Sequence, residues 1–384
     1  MRRLRRAGTR LTTTTAPSRT LVRDRLTWSV YALLAVYGYF LYGFGPSVDL
    51  LGAEQDVPRS VSALHSTALA VGAVVAGLAG ARVTRQVGRK PVLLGGAVAL
   101  CVAAALYCST TLLPVTLFAA LLAGTAGSAV VNAHSAVLAQ HHGDAGPAAI
   151  SEANALASAS GLFGPLAVGT AVSIGLGWRA GILVTLLLAA LALLLARPVA
   201  VPAAPTVAEG ARLAGPLPAA YWAAWVVLVL SIAVEFCLAF WAAELLQSRA
   251  GVPAGRATAA VTALVLGMAV GRFLGGRLAL TRPPDRLLLQ AILLTGLGFA
   301  VFWLGSSPVV SIGGLFLSGT GMALHFPLGI ARALAASDGR LDQAAARASL
   351  GAGLAIGVAP WALGAVADAV GPHLAFLLVP LFLT

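Results

Sequence analysis

The sequence predicts an all-α polytopic membrane protein whose twelve transmembrane helices form two bundles of six. Composition, the lengths of the apolar runs and an internal repeat all lead to this prediction. Of the 384 residues, 59% are hydrophobic and only 10% are charged, whereas soluble domains carry about 25% charged residues. Many apolar runs approach the roughly 20 residues that a helix needs to cross a bilayer. The composition therefore excludes a soluble globular protein.

Proline, glycine and charged residues divide the apolar sequence into twelve spans. The predicted spans are 27–50, 59–81, 91–109, 113–138, 149–174, 178–196, 219–246, 255–278, 286–305, 309–332, 346–370 and 372–384. The last span is short, because its 13 residues reach only about 20 Å as a helix. Either the C-terminus lies within the bilayer or the chain is truncated.

The spans divide the chain into four segments. Residues 1–26 form a basic tail that we expect to be disordered, 27–196 the N-terminal bundle, 197–218 a proline-rich linker and 219–384 the C-terminal bundle. With the N-terminus inside, 20 arginine and lysine residues fall on the inner side and four on the outer side. Because basic residues favour the cytoplasmic side, we expect a cell-membrane protein with a cytoplasmic N-terminus.

The two halves repeat with an offset of 195 residues and no gap. Five sets of positions coincide: Val57-Pro58 with Val252-Pro253, Gly72 and Gly80 with Gly267 and Gly275, Gly124-Thr125 with Gly319-Thr320, Pro165 and Gly169 with Pro360 and Gly364, and Asp49 with Glu244. A constant offset through five sets of positions indicates duplication. Since six is even, both halves enter the membrane in the same direction, which places the expected site between them near the midplane.

This organisation, with a basic loop after span 2, resembles the major facilitator superfamily over residues 26–384. The loop reads Ala81-Arg-Val-Thr-Arg85-Gln86-Val-Gly88-Arg89-Lys90 and keeps the Gly-Arg-Lys end of the family motif. Arg85 replaces the usual acid of that motif, and Gln86 replaces a base. The resemblance implies a gating role for Arg85, Gly88, Arg89 and Lys90, and transport by alternating access.

Small residues recur at every fourth position in spans 2, 5, 8 and 11, which the resemblance implies are the helices joining the two halves. Such spacing gives each helix a smooth face for close packing; the alternative is chance in a chain with 43 glycines. Gly164-Pro165 and Gly169 also resemble an element of family exporters, although Ala120 stands where proton-coupled drug exporters have an arginine. The residues expected at the contact are Gly164, Pro165, Gly169, Gly267, Gly271, Gly275, Pro360 and Gly364.

Aromatic residues crowd spans 1 and 7, which in the family face the cavity. We expect the central ones to line it, and they are Tyr37, Phe40, Tyr42 and Phe236. An aromatic wall suits a lipophilic substrate. Packing against lipid or other helices is the alternative for each ring.

Polar groups inside the spans are the candidates for proton or substrate coupling, because a charge there costs at least ~2.5 kcal/mol. Glu235 lies 11 residues from Leu246 at the outer end of span 7, about 16 Å into the membrane, and is the expected proton carrier. Arg272 and His325 lie roughly 10 Å nearer the cytoplasm. The other candidates are His134, Asn132 and His65; structural hydrogen bonding is the alternative for the histidines.

Asp49 and Glu244 are interpreted as ordinary surface charges, and Glu152 and Arg347 as a possible inner pair across the halves.

No motif indicates an enzyme, a cofactor or a metal site. There is no P-loop Gly-Lys-Ser/Thr motif, and all three cysteines lie in apolar runs. The excess of basic residues is explained by their preference for the cytoplasmic side of the membrane, so nucleic acid is not an expected partner. The expected function is proton-coupled export of a small lipophilic compound by a monomer in the lipid bilayer. The alternatives are a metabolite importer or facilitator and a non-transporting membrane protein.

Overall fold

The computed structural model describes residues 21–201, 216–278, 282–338 and 340–384, and these form helices joined by short connections. The predicted tail up to residue 20 and the linker from 202 to 215 lie outside the described residues. The α-helices are α1 (Arg25–Gln55), α2 (Arg59–Ser62), α3 (Leu64–Val87), α4 (Arg89–Ser109), α5 (Leu113–His142), α6 (Gly146–Gly161), α7 (Phe163–Ser173), α8 (Trp178–Ala196), α9 (Ala219–Ala250), α10 (Ala254–Ala260), α11 (Thr262–Leu278), α12 (Pro284–Leu304), α13 (Pro308–Met322), α14 (His325–Ala335), α15 (Leu341–Val370), α16 (Pro372–Ala375) and α17 (Leu378–Leu383).

Within the described ranges, eleven helical segments are long and apolar enough to cross a membrane. Spans 1, 3, 4, 6, 7, 9 and 11 are α1, α4, α5, α8, α9, α12 and α15. Spans 2, 5, 8 and 10 each consist of two helices, which are α2–α3, α6–α7, α10–α11 and α13–α14. Span 12 is the shorter apolar stretch Pro372–Leu383, formed by α16 and α17. The predicted all-helical membrane fold, with a short final helix, is confirmed.

Span 5 is interrupted next to its proline. α6 ends at Gly161 and α7 begins at Phe163, two residues before Pro165. Proline has no amide hydrogen to donate to the carbonyl four residues earlier, here that of Gly161. The equivalent Pro360 lies inside a continuous helix, α15, so the duplicated proline breaks the helix in one half only.

The 195-residue repeat is visible in the packing of span 2 on span 4 and of span 8 on span 10. A Cβ added to Gly72 would lie 2.0 Å from the carbonyl oxygen of Leu121, and one added to Gly267 would lie 2.0 Å from that of Phe316. Each residue of the second contact is 195 positions after its equivalent in the first. In both halves, glycine permits backbone-to-backbone approach of two helices.

The prediction that the small faces of spans 2, 5, 8 and 11 all meet the partner bundle is wrong in part. Gly267, Gly271 and Gly275 pack against Phe316, Thr320, Ala323 and Leu324 of span 10 in their own bundle. Gly164 likewise packs against span 1, beside Tyr39 and Gly43. A four-residue spacing identifies a face that permits close approach, but it does not identify the neighbouring helix.

Other small residues do join the two bundles. Gly169 of span 5 meets Gly255 and Ala259 of span 8, with an added Cβ 2.3 Å from the carbonyl oxygen of Gly255. Gly364 of span 11 lies beside the backbone of Arg59 at the start of span 2. Pro360 remains within the C-terminal bundle, where its carbonyl accepts a hydrogen bond of 2.9 Å from Trp241 Nε1.

The two bundles touch at one membrane face and diverge toward the other. We call the face that carries Arg23, Arg89, Lys90, Arg197 and Arg332 the basic face, and the other the opposite face. At the opposite face, Arg59 of span 2 forms an ion pair with Glu244 of span 7. Toward the basic face, an added Cβ at Gly77 or Gly80 of span 2 would have no atom within 4 Å. The space between the bundles therefore opens to the basic face.

Candidate functional site

Four polar side chains from four spans meet between the bundles inside the membrane. Tyr42 of span 1 donates its hydroxyl to Glu235 Oε1 of span 7 at 3.1 Å. Arg272 Nη1 of span 8 donates to Ser158 Oγ of span 5 at 2.5 Å. The Arg272 guanidinium also interacts electrostatically with Tyr42 and Glu235. We call these four residues the central cluster; each of its two hydrogen bonds crosses from one bundle to the other.

Glycines bring the four spans close enough for these contacts. A Cβ at Gly161 would lie 2.5 Å from the Tyr42 ring, so this glycine leaves room for the ring against span 5. A Cβ at Gly45 would lie 3.0 Å from the carbonyl oxygen of Ala239, so spans 1 and 7 approach closely just beyond the cluster. Tyr42 and Glu235 consequently lie at the same level of the membrane.

The central cluster is reached from the open side of the molecule. Arg272 is exposed, while Tyr42, Ser158 and Glu235 are half-buried. A charged side chain within the membrane needs water or a partner, and Arg272 faces the partner bundle rather than lipid. The arrangement presents a carboxyl group that can carry a proton and a guanidinium that can bind polar or anionic groups.

The sequence places Glu235 and Arg272 at different depths, and in the structure they form no ion pair within 4.0 Å among the described residues. The Tyr42 hydroxyl and the long arginine side chain bring them into one cluster nonetheless. Ser158 is the member that the sequence analysis missed. The sequence feature that could have identified it is its position four residues after Asn154, which places two polar residues on one face of an apolar helix.

The candidate histidines lie in the bundle interiors, away from the central cluster. His65 is fully buried, with Nδ1 2.7 Å from the Ser62 carbonyl and Nε2 2.8 Å from Thr116 Oγ1. His325 is also buried, with Nε2 3.1 Å from Thr295 Oγ1. His134 is buried beside Ser135, and Asn132 is exposed on span 4. His65 is therefore bonded at both ring nitrogens, whereas Nδ1 of His325 has no hydrogen-bond partner among the described residues.

The predicted cavity aromatics separate into two groups. Tyr42 belongs to the central cluster, and half-buried Phe236 lies one residue after Glu235, 6.2 Å from Phe240. Tyr37 is half-buried, with its ring against Gly127 of span 4. Phe40 is fully buried and stacks on Phe44 at 5.5 Å, so the expectation that it lines a cavity is wrong. Residues i and i+2 point to different sides of a helix, which directs Phe40 away from Tyr42.

The basic loop after span 2 contacts its own bundle. Gly88 joins α3 to α4 with a φ of +90°, a conformation that favours glycine. Arg89 donates to the Gln140 side chain of span 4, and Lys90 Nζ donates to the Arg197 carbonyl at the end of span 6 at 2.9 Å. Arg85 is exposed on α3. The loop thus ties the ends of spans 2, 3, 4 and 6 together.

The start of span 1 is anchored to spans 4 and 5 at the basic face. Asp24 caps α1 by accepting from the Thr27 amide at 2.9 Å, and His141 Nε2 lies 2.7 Å from its other oxygen. Partial burial alone would raise the pKa of Asp24, but the hydrogen bonds from Thr27 and His141 outweigh it and lower that pKa to about 2. Arg23 binds Glu152 through two hydrogen bonds of 2.6 and 2.9 Å, so Glu152 is paired within its own bundle.

Four charged residues and an amide close the opposite face. Arg59 Nε donates to Glu244 Oε1, and the carboxylate of Asp368 accepts from the backbone amides of Arg59 and Ser60 at 2.9 Å each. Gln247 Nε2 of span 7 donates to Asp49 Oδ2 of span 1 at 3.3 Å. We call Asp49, Arg59, Glu244, Gln247 and Asp368 the opposite-face gate. Glu244 is only 8% exposed, so its interpretation as an ordinary surface charge is wrong.

Solved structures of several transporters share this fold. The chain matches a nucleoside transporter, NupG (D323A mutant), with a TM-score of 0.77 and 13% identity, covering 94% of this chain and 96% of that one. It matches the xylose transporter XylE from E. coli with a TM-score of 0.70 and 14% identity, covering 93% and 96%. It also matches a bacterial homolog of the human lysosomal transporter Spinster, in its inward-facing and unoccupied conformation, with a TM-score of 0.69 and 13% identity, covering 94% of this chain and 95% of that one.

Sequence comparisons agree with the shared fold. No curated protein matches the chain significantly. The profile of the Major Facilitator Superfamily matches residues 30–331, most of both bundles. The chain therefore belongs to the Major Facilitator Superfamily.

Proposed function

We propose that the protein is a secondary active transporter that moves a small organic molecule by alternating access and couples this movement to protons through Glu235. The observation that carries the proposal is the central cluster, whose two cross-bundle hydrogen bonds lie inside the membrane while one face is closed. Rocking of the bundles exchanges the partners of these groups, which links access to protonation.

Glu235 changes its surroundings when the bundles move. In the observed state, its Oε1 accepts from Tyr42 of the other bundle, and Arg272 supplies a nearby positive charge. Separation of spans 1 and 7 removes the Tyr42 hydroxyl, and separation of spans 5 and 8 frees Arg272 from Ser158. Both changes alter the electrostatic cost of a charged carboxylate, so Glu235 can bind and release its proton in different states.

The walls of the space suit a compound with an apolar or aromatic body and one polar group. Tyr42 and Phe236 supply aromatic surface beside Glu235, and the exposed Arg272 supplies a donor for the polar end. We place the basic face in the cytoplasm of the cell and propose that a monomer works as a proton-coupled exporter. The resemblance of Gly164-Pro165 and Gly169 to an exporter element supports this direction.

Uptake is the second candidate. It is favoured by the similar folds of a nucleoside transporter and a xylose transporter. Both solutes are polar and rich in hydroxyl groups, and the donors and acceptors of the central cluster could bind such groups. The two candidates share the same site and differ in the direction of the proton gradient that accelerates transport.

The direction and the coupling can be tested together in proteoliposomes with controlled internal and external pH. The probes are ethidium, radiolabelled uridine and radiolabelled xylose, with orientation determined by protease access to the basic tail. Export predicts that a proton gradient opposed to probe movement accelerates flux; uptake predicts acceleration when both move in the same direction. Transport of none of the probes, without any probe-dependent proton movement, would favour the non-transporting alternative.

Glu235→Gln tests the proton role directly. We expect at least a tenfold loss of gradient-driven flux with retained probe exchange at equal pH, because the amide cannot carry the proton. Asp56→Asn is the matched control, since it makes the same chemical change at an exposed carboxylate outside the cluster. Equal gradient-driven flux in Glu235→Gln and in the unmodified chain would refute coupling through Glu235.

A further inference from the structure

The opposite-face gate contains a buried carboxyl group that is only half satisfied. Glu244 is 92% buried, its Oε1 accepts from Arg59, and its Oε2 has no hydrogen-bond partner among the described residues. An ionised carboxylate has about four lone-pair sites to satisfy, and burying one with an unsatisfied oxygen is costly. A protonated carboxyl group leaves Oε1 free to accept from Arg59 while Oε2 carries the hydrogen.

The charges of the gate do not balance when all its acids are ionised. Asp49, Glu244 and Asp368 surround one guanidinium, that of Arg59. Asp368 is well satisfied, because it accepts from two backbone amides and has Arg59 Nη1 at 3.8 Å. Asp49 accepts from the Gln247 amide. The repeat therefore places two equivalent acids, Asp49 and Glu244, against each other with one arginine between the bundles.

The other ionisable groups at this face do not supply the missing charge. Glu54 forms an ion pair of 2.6 Å with Arg179. His65 is bonded at both ring nitrogens within the N-terminal bundle, and the His373 ring stacks on Trp303. The remaining charged side chains of this face are exposed: Asp56, Arg249 and Arg256.

We propose that Glu244 is a second proton-binding site, loaded when the opposite face closes and emptied when it opens. Opening separates Asp49 and Arg59 on one bundle from Glu244 and Asp368 on the other, and exposes all of them to water, where each carboxyl group is ionised at neutral pH. The closed gate therefore binds one more proton than the open gate. By linkage, acid favours closure and alkali favours opening. This site is independent of the proposed role of Glu235.

The equilibrium can be followed by double electron–electron resonance on the full chain in lipid nanodiscs. Spin labels at Leu112 and Ser248, exposed positions of the two bundles at this face, report the width of the gate after Cys101, Cys108 and Cys237 are changed to alanine. Between pH 5 and 9, we expect the closed population to fall with rising pH. Because one proton is bound on closure, the closed-to-open ratio should fall by at most tenfold per pH unit. The protection factors of amides 59–63, which are corrected for the intrinsic rise of amide exchange with pH, should fall in parallel in the unlabelled chain.

Substitution separates this site from the central cluster. Glu244→Gln mimics the neutral acid, so in a Glu235→Gln background the gate should stay closed, with less than a twofold change in the ratio across the pH range. Asp56→Asn should keep the pH response of the unmodified chain, and Glu235→Gln should keep the part of that response that Glu244→Gln removes. A pH-independent gate in the unmodified chain, or an unchanged response in Glu244→Gln, would overturn the proposal, whatever the transport assays of Glu235→Gln show.

Discussion

Gly169→Ala should hinder closure of the opposite face without weakening either bundle. In the closed state, the added Cβ would lie 2.3 Å from the carbonyl oxygen of Gly255 and 2.4 Å from the amide nitrogen of Ala259. Both are backbone atoms, so the bundles must part by about 1 Å to restore ordinary contact. Overpacking of this kind costs about 1–3 kcal/mol, which corresponds to a shift of about 5- to 150-fold from closed to open.

The matched control is Gly124→Ala, where the added Cβ would lie 1.9 Å from the Leu69 carbonyl oxygen inside the N-terminal bundle. It should lower the thermal unfolding temperature in detergent and leave the Leu112–Ser248 distance distribution unchanged. Gly169→Ala should do the reverse, measured at a pH where the parent chain populates both states. A closed population unaffected by Gly169→Ala, or shifted equally by Gly124→Ala, would refute the assignment of Gly169 to a moving interface.

Three further predictions follow from single contacts. Tyr42→Phe removes a hydrogen bond worth about 0.5–1.5 kcal/mol and should slow gradient-driven flux about two- to tenfold while probe binding by equilibrium dialysis is retained; an unchanged rate would contradict a coupling role. Asp24→Ala removes the cap of α1 and should cost about 1 kcal/mol. The pKa of Asp24 is lowered in the folded chain. The loss in the free energy of unfolding should therefore be constant above about pH 5 and shrink only as the pH falls from about 4 toward 2. Thermal unfolding of both chains as a function of pH measures this loss. Gly72→Ala and Gly267→Ala make equivalent 2.0 Å contacts and should lower the unfolding temperature by similar amounts; a large difference would show that the two halves do not share their packing.

The sequence predicts the fold because span length and the repeat are local or periodic properties. A run of about 20 apolar residues has few alternatives in a bilayer, and a constant offset of 195 requires both halves to pack alike. Gly72 and Gly267 illustrate this, since equivalent glycines meet equivalent carbonyl groups. The neighbour of each glycine face was not predictable, because spacing along one helix contains no information about the helix opposite.

The candidate site was only partly predictable for the same reason. Glu235 and Arg272 are conspicuous as charges in apolar spans, and Tyr42 as a central aromatic residue. Ser158 gains its significance only when spans 5 and 8 meet. Glu244 lies near the end of its span, and depth along one helix does not reveal that Arg59 and Asp368 of two other spans cover it.

The carboxylate of Asp368 has a consequence for how the molecule opens. The first turn of a helix has amides without intrahelical acceptors, and in span 2 two of these, at Arg59 and Ser60, are satisfied by a residue of the other bundle. When the bundles part, this end of span 2 loses its acceptors and must be hydrated. In the proposed transport cycle, the mouth at the opposite face is therefore a helix terminus whose local order depends on docking, and water must solvate main-chain groups there before any solute can pass.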